Sequence, residues 1–475
     1  MSSSPLTFYN SLTRSLEPFV PIDPRLVRIY TCGPTVYNYQ HIGNMRAFLF
    51  ADTLGRVLRW KGFPTKHVIN ITDVGHLTSD ADAGDDKMEK AAAAQAKSIW
   101  EIAAHYTAAF KGDVARLNID PPAEWTVATD HIPQMIEFAR RIEQDCYLIE
   151  GGLYFDTTRV PDYGSLARAV SDAGESRIDP VSGKRHPHDF AIWRRSPPGE
   201  QRQMEWDSPW GKGAPGWHLE CSVMSLQHLG HPFDIHTGGI DHREIHHPNE
   251  IAQNQAFCRC DDTGARLWMH NNFLVDRGGK MSKSTGQFLR LQTLVDAGFH
   301  PLAYRMMCLQ AHYRSELEFT WENLAAAFTR LKRLVIARDG LRARDDGTRE
   351  GDAEPYLARL EEAVGDDLGT PRALPVLDEL LADKRLSPAT RLQALGDFDA
   401  VLGLNLTTLT RTELRVRPVT AIVTEAEIDA QLAARKEARA AKNFARSDEI
   451  RDALAAAGVE VMDGDALAWD WKLAL

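Results

Sequence analysis

Residues 26–33, Leu-Val-Arg-Ile-Tyr-Thr-Cys-Gly, are a short run rich in strand formers that stops at a glycine. Beyond it Phe50, Leu54 and Val57 recur at spacings of four and three, with Asp52, Arg56 and Arg59 between them. That period predicts an amphipathic helix. His67 to Thr72, His-Val-Ile-Asn-Ile-Thr, predicts a second strand. Strand, glycine turn, helix and strand make one βαβ unit, which implies a parallel sheet. Strand signals resume at Phe233-Asp-Ile-His and from Leu267 to Leu274.

Between these halves the pattern changes. Residues 87–118 are alanine-rich and predict a long helix. Residues 121–204 hold Pro-Pro, a helical stretch near 131–145, a short strand (Gly152-Leu-Tyr-Phe-Asp) and a polar run from Ser171 to His188, and read as an insertion into the sheet. From Thr320 the chain predicts helices only, with Leu324, Phe328, Leu331 and Val335 along one apolar face. The charged run Arg338 to Glu354 reads as a loop, Ser387-Pro388 as a capped helix start, and residues 404–423 as a linker. Thr424-x-x-Glu427 has capping-box spacing and opens a last small domain. The expected fold class is therefore α/β: a Rossmann-like parallel-sheet domain with an insertion, followed by a helical bundle and a small C-terminal domain. The expected boundaries are 1–120 and 205–275 for the sheet domain, 121–204 for the insertion, 276–319 for a loop region, 320–415 for the bundle and 416–475 for the last domain.

Composition narrows the class. A net charge of −11 gives no global attraction to a polyanion, so any nucleic acid must meet a local basic surface. The 6 cysteines, Cys32, Cys146, Cys221, Cys258, Cys260 and Cys308, are scattered, unlike a disulfide scaffold, and read as reduced. No run approaches the roughly 18 apolar residues of a membrane helix, and the N-terminus lacks a signal pattern. A cytoplasmic chain with no membrane partner is expected.

Two segments carry candidate nucleotide chemistry. Cys32-Gly-Pro-Thr-Val-Tyr-Asn-Tyr-Gln-His41-Ile-Gly43-Asn44 joins the first strand to the helix. A helix start offers free N–H groups and the positive dipole end to phosphate, and Gly43 leaves room for a base against the backbone. Gly278-Gly-Lys280-Met-Ser-Lys283-Ser284 sets two lysines on a glycine-hinged loop, able to gather a triphosphate. Metal chemistry is suggested by Cys32, Cys221, His246 and Glu250, since zinc takes sulfur, imidazole and carboxylate ligands, usually four. His246 and Glu250 are four apart, as on one helix face, although Pro248 lies between them. His247, His242, Cys258 and Cys260 are rival ligands, and spacing does not choose between His246 and His247.

His-Ile-Gly-Asn after the first strand, with Lys-Met-Ser-Lys-Ser about 240 residues later, resembles the paired signatures of class I aminoacyl-tRNA synthetases. The run from Trp217 to Gln253, Cys32-Gly-Pro-Thr-Val-Tyr and Asn70-Ile-Thr-Asp73 resemble the cysteinyl-tRNA synthetase family over nearly the whole chain. The resemblance implies one zinc on Cys32, Cys221, His246 and Glu250. It implies an amino-acid pocket around Thr72, Trp217 and His236, and an adenosine end near Gly43, Gly238, Gly239 and Asp241. It further implies substrates L-cysteine, ATP with magnesium, and tRNA(Cys), with His41, Asn44, Lys280 and Lys283 acting at the phosphates. Residues 121–204 are too short for the large editing domain of some relatives, which agrees with selection at the first step.

The family's last domain binds the anticodon. There Arg435, Arg439, Lys442 and Arg446, spaced by four, three and four, are expected along one helix face, a stripe suited to a phosphate backbone. A monomer is expected. The chain departs from the family pattern at Thr237, usually Gly; at Asp-His-Arg-Glu-Ile before His246, where a Pro usually precedes the ligand; at Pro248, often Glu; and at Gln287, often Asn. Two rivals share features with this reading. One is a cysteine ligase of mycothiol biosynthesis, which lacks an anticodon domain. The other is a non-catalytic tRNA-binding paralogue, which would not need the lysines and ligands.

Overall fold

The computed structural model describes residues 5–75, 98–167, 182–197, 199, 202–276 and 289–473, and residues 279–280 by their backbone. Five parallel strands form the central sheet: Val27–Thr31, Thr65–Ile71, Glu124–Val127, Phe233–Gly239 and Ala265–Asn271. Counted across the sheet, Ala265–Asn271 lies at one edge, then Phe233–Gly239, Val27–Thr31, Thr65–Ile71 and Glu124–Val127. Ile29 pairs with Ile235 on one side and His67 on the other. The chain thus reverses its direction of travel between Val27–Thr31 and Phe233–Gly239. The crevice beyond the carboxyl ends of those two strands is where such sheets bind ligands.

The expected strands and crossover helix are present, and the sheet continues past residue 120 into Glu124–Val127. The crossover helix, Ile42–Trp60, is buried on nearly all sides rather than along one stripe, because the helix Pro388–Leu402 covers its outer face. Asp52 is consequently sealed. Its carboxylate accepts from Arg56 Nε at 2.8 Å, from the Asp120 amide at 2.9 Å and from Arg305 Nη2 at 2.5 Å. Arg305, fully buried, also donates to the carbonyls of Leu117, Asn118 and Leu402. One ion pair therefore ties helix, sheet and bundle together.

The helical expectation for residues 87–118 holds as Ile99–Arg116; residues 87–97 lie outside the described residues. The insertion is built on an antiparallel sheet of Cys146–Ile149, Gly152–Phe155, Phe190–Arg195 and Gly213–Pro215. It packs on the two helices that follow, Trp217–Leu229 and His246–Cys258, within one shared core. Phe138 stacks on Phe257 at 4.4 Å, and Tyr163 donates to Asn249 Oδ1 at 2.7 Å.

Beyond the sheet, Leu324, Phe328, Leu331 and Val335 are buried as their spacing predicts. The helix Trp321–Arg342 runs further than expected: Arg338 is inside it and buried, donating to the carbonyls of Leu406 and Leu409. Those carbonyls belong to the expected linker, which is pinned to the bundle through buried Leu404, Leu406, Leu409 and Leu414. Ser387 caps its helix and Thr424 forms a reciprocal box with Glu427, as read from the sequence. The last domain pairs helices Glu425–Ala440 and Phe444–Ala456 with a short hairpin around a core of Ile428, Ile450, Leu454, Val459, Trp469 and Trp471.

Replacing Asp52 with Ala leaves the Arg305 guanidinium buried without its counter-charge. We expect a loss of about 3–5 kcal/mol in denaturant unfolding. A loss no larger than that of a surface ion pair, about 1 kcal/mol or less, would contradict the role given to this pair.

Candidate metal and nucleotide site

Every candidate in the first half of the chain sits just past the carboxyl end of a sheet strand or on a helix facing it. Cys32 follows Val27–Thr31, and Thr72 follows Thr65–Ile71. His236, Gly238 and Gly239 close the strand Phe233–Gly239. Trp217 and Cys221 lie in the first turns of Trp217–Leu229, and His246 and Glu250 in the first turns of His246–Cys258. Pro248 does not break that helix because it occupies its third position, where an N–H has no helical partner.

These residues converge. One ligand atom from each of Cys32, Cys221, His246 and Glu250 lies within 4.8 Å of the others, and all four residues are buried. The two sulfurs are 3.8 Å apart, and His246 Nε2 is 3.1 Å from Glu250 Oε1. Two sulfurs bound at about 2.3 Å to one tetrahedral ion would stand about 3.8 Å apart. A second group, Cys32, His236, His247 and Glu250, overlaps the first through Cys32 and Glu250. His247 Nε2 is 3.4 Å from Cys32 Sγ, and His236 Nε2 is 3.0 Å from Glu250 Oε2. The first group alone contains both sulfurs.

The charges are arranged for a cation. Burial disfavours the Cys221 thiolate, but the Cys32 thiol donates to it and His246 stands beside it, bringing its pKa down to about 6. Burial also opposes charge on His246, yet Cys221 and Glu250 beside it push that imidazole up to about 10. Glu250 is held well below the usual carboxylate range against its burial, by His236 and His246. Cys32 is raised, first by burial and then by its neighbour Cys221. A proton shared among such groups is what a divalent metal displaces on binding.

Supporting contacts fix the cluster. Asn70 Oδ1 accepts the Gly33 amide at 2.7 Å, Asn70 Nδ2 donates to Thr72, and Thr72 donates to Glu220 Oε2 at 3.0 Å. His218 Nδ1 meets His246 Nδ1 at 2.9 Å; His270 Nε2 meets His247 Nδ1 at 2.7 Å and is itself held by Ser11. Glycines make the close approaches: a Cβ on Gly33 would lie 1.5 Å from the Asn70 carbonyl oxygen, and one on Gly238 would lie 2.7 Å from the His247 ring. Thr237 is accommodated by a chain of bonds, Thr237 to Thr31 at 2.7 Å and Thr31 to His67 at 2.7 Å.

At the first signature, His41 is the N-cap of Ile42–Trp60. Its Nδ1 accepts the Asn44 amide at 3.1 Å, and Asn44 Oδ1 faces the His41 amide at 3.4 Å, a reciprocal capping box. Arg46, buried, donates to the carbonyls of Asn272, Phe273, His312 and Ser315 and so ties the start of this helix to those two segments. Lys280 is described by its backbone, in a strand pairing Lys280 with Val275; Lys283 and Gln287 lie outside the described residues.

Residues 18–329 match the family model of the class I (C) tRNA synthetase catalytic domain, and residues 424–466 that of the cysteinyl-tRNA ligase anticodon-binding domain. The cysteine–tRNA ligase of Novosphingobium aromaticivorans is 63% identical over 99% of this chain and 98% of its own.

This chain belongs to the cysteinyl-tRNA ligase family.

The corresponding ligase of Zymomonas mobilis is 54% identical over 99% of this chain and 98% of its own. The fold is also that of Mycobacterium tuberculosis methionyl-tRNA synthetase bound by methionyl-adenylate, at TM-score 0.54 and 15% identity, over 81% of this chain and 89% of the other. The match confirms a class I synthetase fold with a C-terminal anticodon-binding domain. No described helix is long and apolar enough to cross a membrane.

Two expectations need correction against this ligase fold. Cys258 and Cys260 are not free thiols: they are disulfide-bonded to each other, brought together where Arg259 turns the helix end with φ 59°. Both are thereby removed as rival ligands. The four-cation stripe is not on one helix, because the chain turns at Lys442, also in the left-handed region, and Arg446 belongs to the next helix. Three of the four cations are also paired: Arg435 is buried and bonded to Asp463 at 2.6 and 2.8 Å, Arg439 meets Asp463 at 3.0 Å, and Arg446 meets Glu449 at 2.7 Å. Exposed Lys436 and Lys442 form no ion pair among the described residues.

His218 and Glu220 went unread in the sequence, though both lie in the run from Trp217 to Gln253 and His218 is three residues from Cys221, one helical turn. His270 gave no signal, since its partner His247 comes from another element.

The Gly33→Ala variant should be destabilised by at least about 1–3 kcal/mol, because the added methyl overlaps backbone that cannot step aside. Wild-type stability in thermal unfolding would show that this approach is looser than described.

Proposed function

We propose that this chain ligates L-cysteine to tRNA(Cys) in two steps, through a cysteinyl adenylate, with zinc selecting the substrate thiolate. The observation that carries the reading is the buried group of two sulfurs, an imidazole and a carboxylate at the mouth of the parallel sheet, in a chain of this ligase family. Cys32, Cys221, His246 and Glu250 would hold the metal, a donor set that suits zinc. Zinc, when bound, supplies a soft Lewis-acid centre that prefers a thiolate to the neutral hydroxyl of serine, a near-isostere that pocket shape alone rejects weakly.

The protein's own part is positioning. Thr72, Trp217 and His236 line the amino-acid pocket, and Gly43, Gly238, Gly239 and Asp241 the adenosine end. The cysteine carboxylate attacks the ATP α-phosphate; the new oxygen–phosphorus bond forms as the bond to pyrophosphate breaks. Lys280 and Lys283, with magnesium on the nucleotide, stabilise the charge that develops there. His41 faces the phosphates from the start of the helix, and the Asn44 amide holds its ring through Nδ1. The terminal hydroxyl of the tRNA then attacks the carbonyl and releases AMP.

At the tRNA end, Lys436 and Lys442 offer phosphate contacts that Arg435 and Arg439, tied to Asp463, share with a structural role. The anticodon-binding match favours this reading over an amino-sugar ligase. The working form in this proposal is a cytoplasmic monomer.

Two variants test the proposal. Lys283→Ala should slow cysteine-dependent ATP–pyrophosphate exchange by about 100-fold or more, the order expected for loss of one donor at developing charge, with little change in the KM for cysteine; equal effects on both would argue against a transition-state role. Cys221→Ser should lose bound zinc and cysteine activation together, read by metal analysis and the same exchange assay. A variant that keeps both would place the metal elsewhere.

A further inference from the structure

The edge strand of the central sheet, Glu124–Val127, meets the end of the helix Trp217–Leu229 at a pair of histidines that the proposed function does not use. His131 ends the short turn Ala128–His131 that follows the strand, and His228 lies in the last turn of the helix. Their Nε2 atoms stand 2.8 Å apart. Each ring is fixed from its far side. His131 Nδ1 is 2.8 Å from the Val127 carbonyl oxygen, and His228 Nδ1 is 2.9 Å from Glu124 Oε2. A carbonyl and a carboxylate only accept, so in both neutral rings Nδ1 carries the hydrogen and Nε2 presents a lone pair. Two acceptors therefore face each other. The Thr126 hydroxyl, 3.1 Å from His228 Nε2 and 3.5 Å from His131 Nε2, has one hydrogen and satisfies only one of them.

A carboxylate or a backbone carbonyl on the other ring nitrogen is what metal-bound imidazoles commonly have. The spacing selects the ion. Two nitrogens bound at about 2.0 Å stand about 3.3 Å apart at the tetrahedral angle that zinc prefers, and about 2.8 Å apart at a right angle, the geometry of nickel(II) and copper(II). The Glu124 carboxylate supplies negative charge, which offsets nearby Lys66, whose Nζ donates to the His228 carbonyl at 2.7 Å. The His228 side chain is 16% exposed and that of Glu124 41%, so an ion can enter from solvent. We propose that His131 and His228 form a metal site separate from the Cys32–Glu250 group, taking a divalent ion of the nickel or copper type through both Nε2 atoms, with Glu124 and the Val127 carbonyl orienting the rings. Such an ion pins the edge of the sheet to the helix that carries Cys221. The inference stands apart from the zinc reading, since the two sites share no residue.

The test titrates nickel(II) into the full-length protein, incubated beforehand with zinc, by calorimetry, and records nickel-edge X-ray absorption on the product. One equivalent should bind, with the scattering of two imidazoles and no sulfur. His131→Gln and His228→Gln should each abolish that equivalent. Glu124→Ala keeps both rings and should weaken nickel binding by about 10- to 100-fold; it decides the matter if a histidine variant does not fold. His186→Gln, at an exposed histidine elsewhere, is the control and should bind as the wild type does. A wild-type protein that takes up no nickel would overturn the assignment and leave the two rings sharing a proton only. Nickel uptake that survives both histidine variants, or that is lost in the control, would overturn it too. Sulfur scattering from the bound nickel would place the ion in the Cys32–Glu250 group, which counts against this site and not against a metal at that one.

Discussion

Two thiols, an imidazole and a carboxylate held together away from water need a counter-charge. Without one, burial drives such groups to neutrality and mutual repulsion keeps them apart. Here they meet within one small volume, the His246 imidazole balancing Cys221 and Glu250, and the group could hold a metal ion. The rest of the catalytic half can be understood as the scaffold that brings them together. Cys32 comes off the first strand, Cys221 from a helix over the sheet, and His246 with Glu250 from the next helix. Parallel strands are what permit this, since all their carboxyl ends open on one side, and the crevice lies where the chain's direction of travel reverses.

The support is built from buried polar contacts as much as from apolar packing. Asn70 takes the amide of Gly33 and so fixes the backbone next to Cys32. Asp52 and Arg305 lock the crossover helix to the bundle, and the same helix begins at the His41–Asn44 capping box. Arg46, two residues further on, grips the carbonyls of Asn272, Phe273, His312 and Ser315.

Much of this was legible because it is local. The strands, the crossover helix, the caps at Ser387 and Thr424 and the apolar face from Leu324 to Val335 follow from period and turn chemistry. What escaped depends on distant partners. Asp52 reads as a surface residue until Pro388–Leu402 covers it. The leucines from 404 to 414 look like a linker until Arg338 reaches their carbonyls. The cation stripe fails for a local reason, a left-handed turn at Lys442, and for a distant one, the carboxylate of Asp463. In the site, spacing left His246 and His247 open, and each joins Cys32 and Glu250 in a buried group, His246 with Cys221 and His247 with His236. The histidines at 218 and 270 are positioned by partners on other elements, which no spacing rule reports.

X-ray absorption at the zinc edge, on the purified protein with and without cysteine, tests the central claim most directly. The account predicts two sulfur ligands at the resting metal and a third when cysteine is added, with no such gain from serine. A sulfur count that stays the same on adding cysteine, or rises equally with serine, would contradict it.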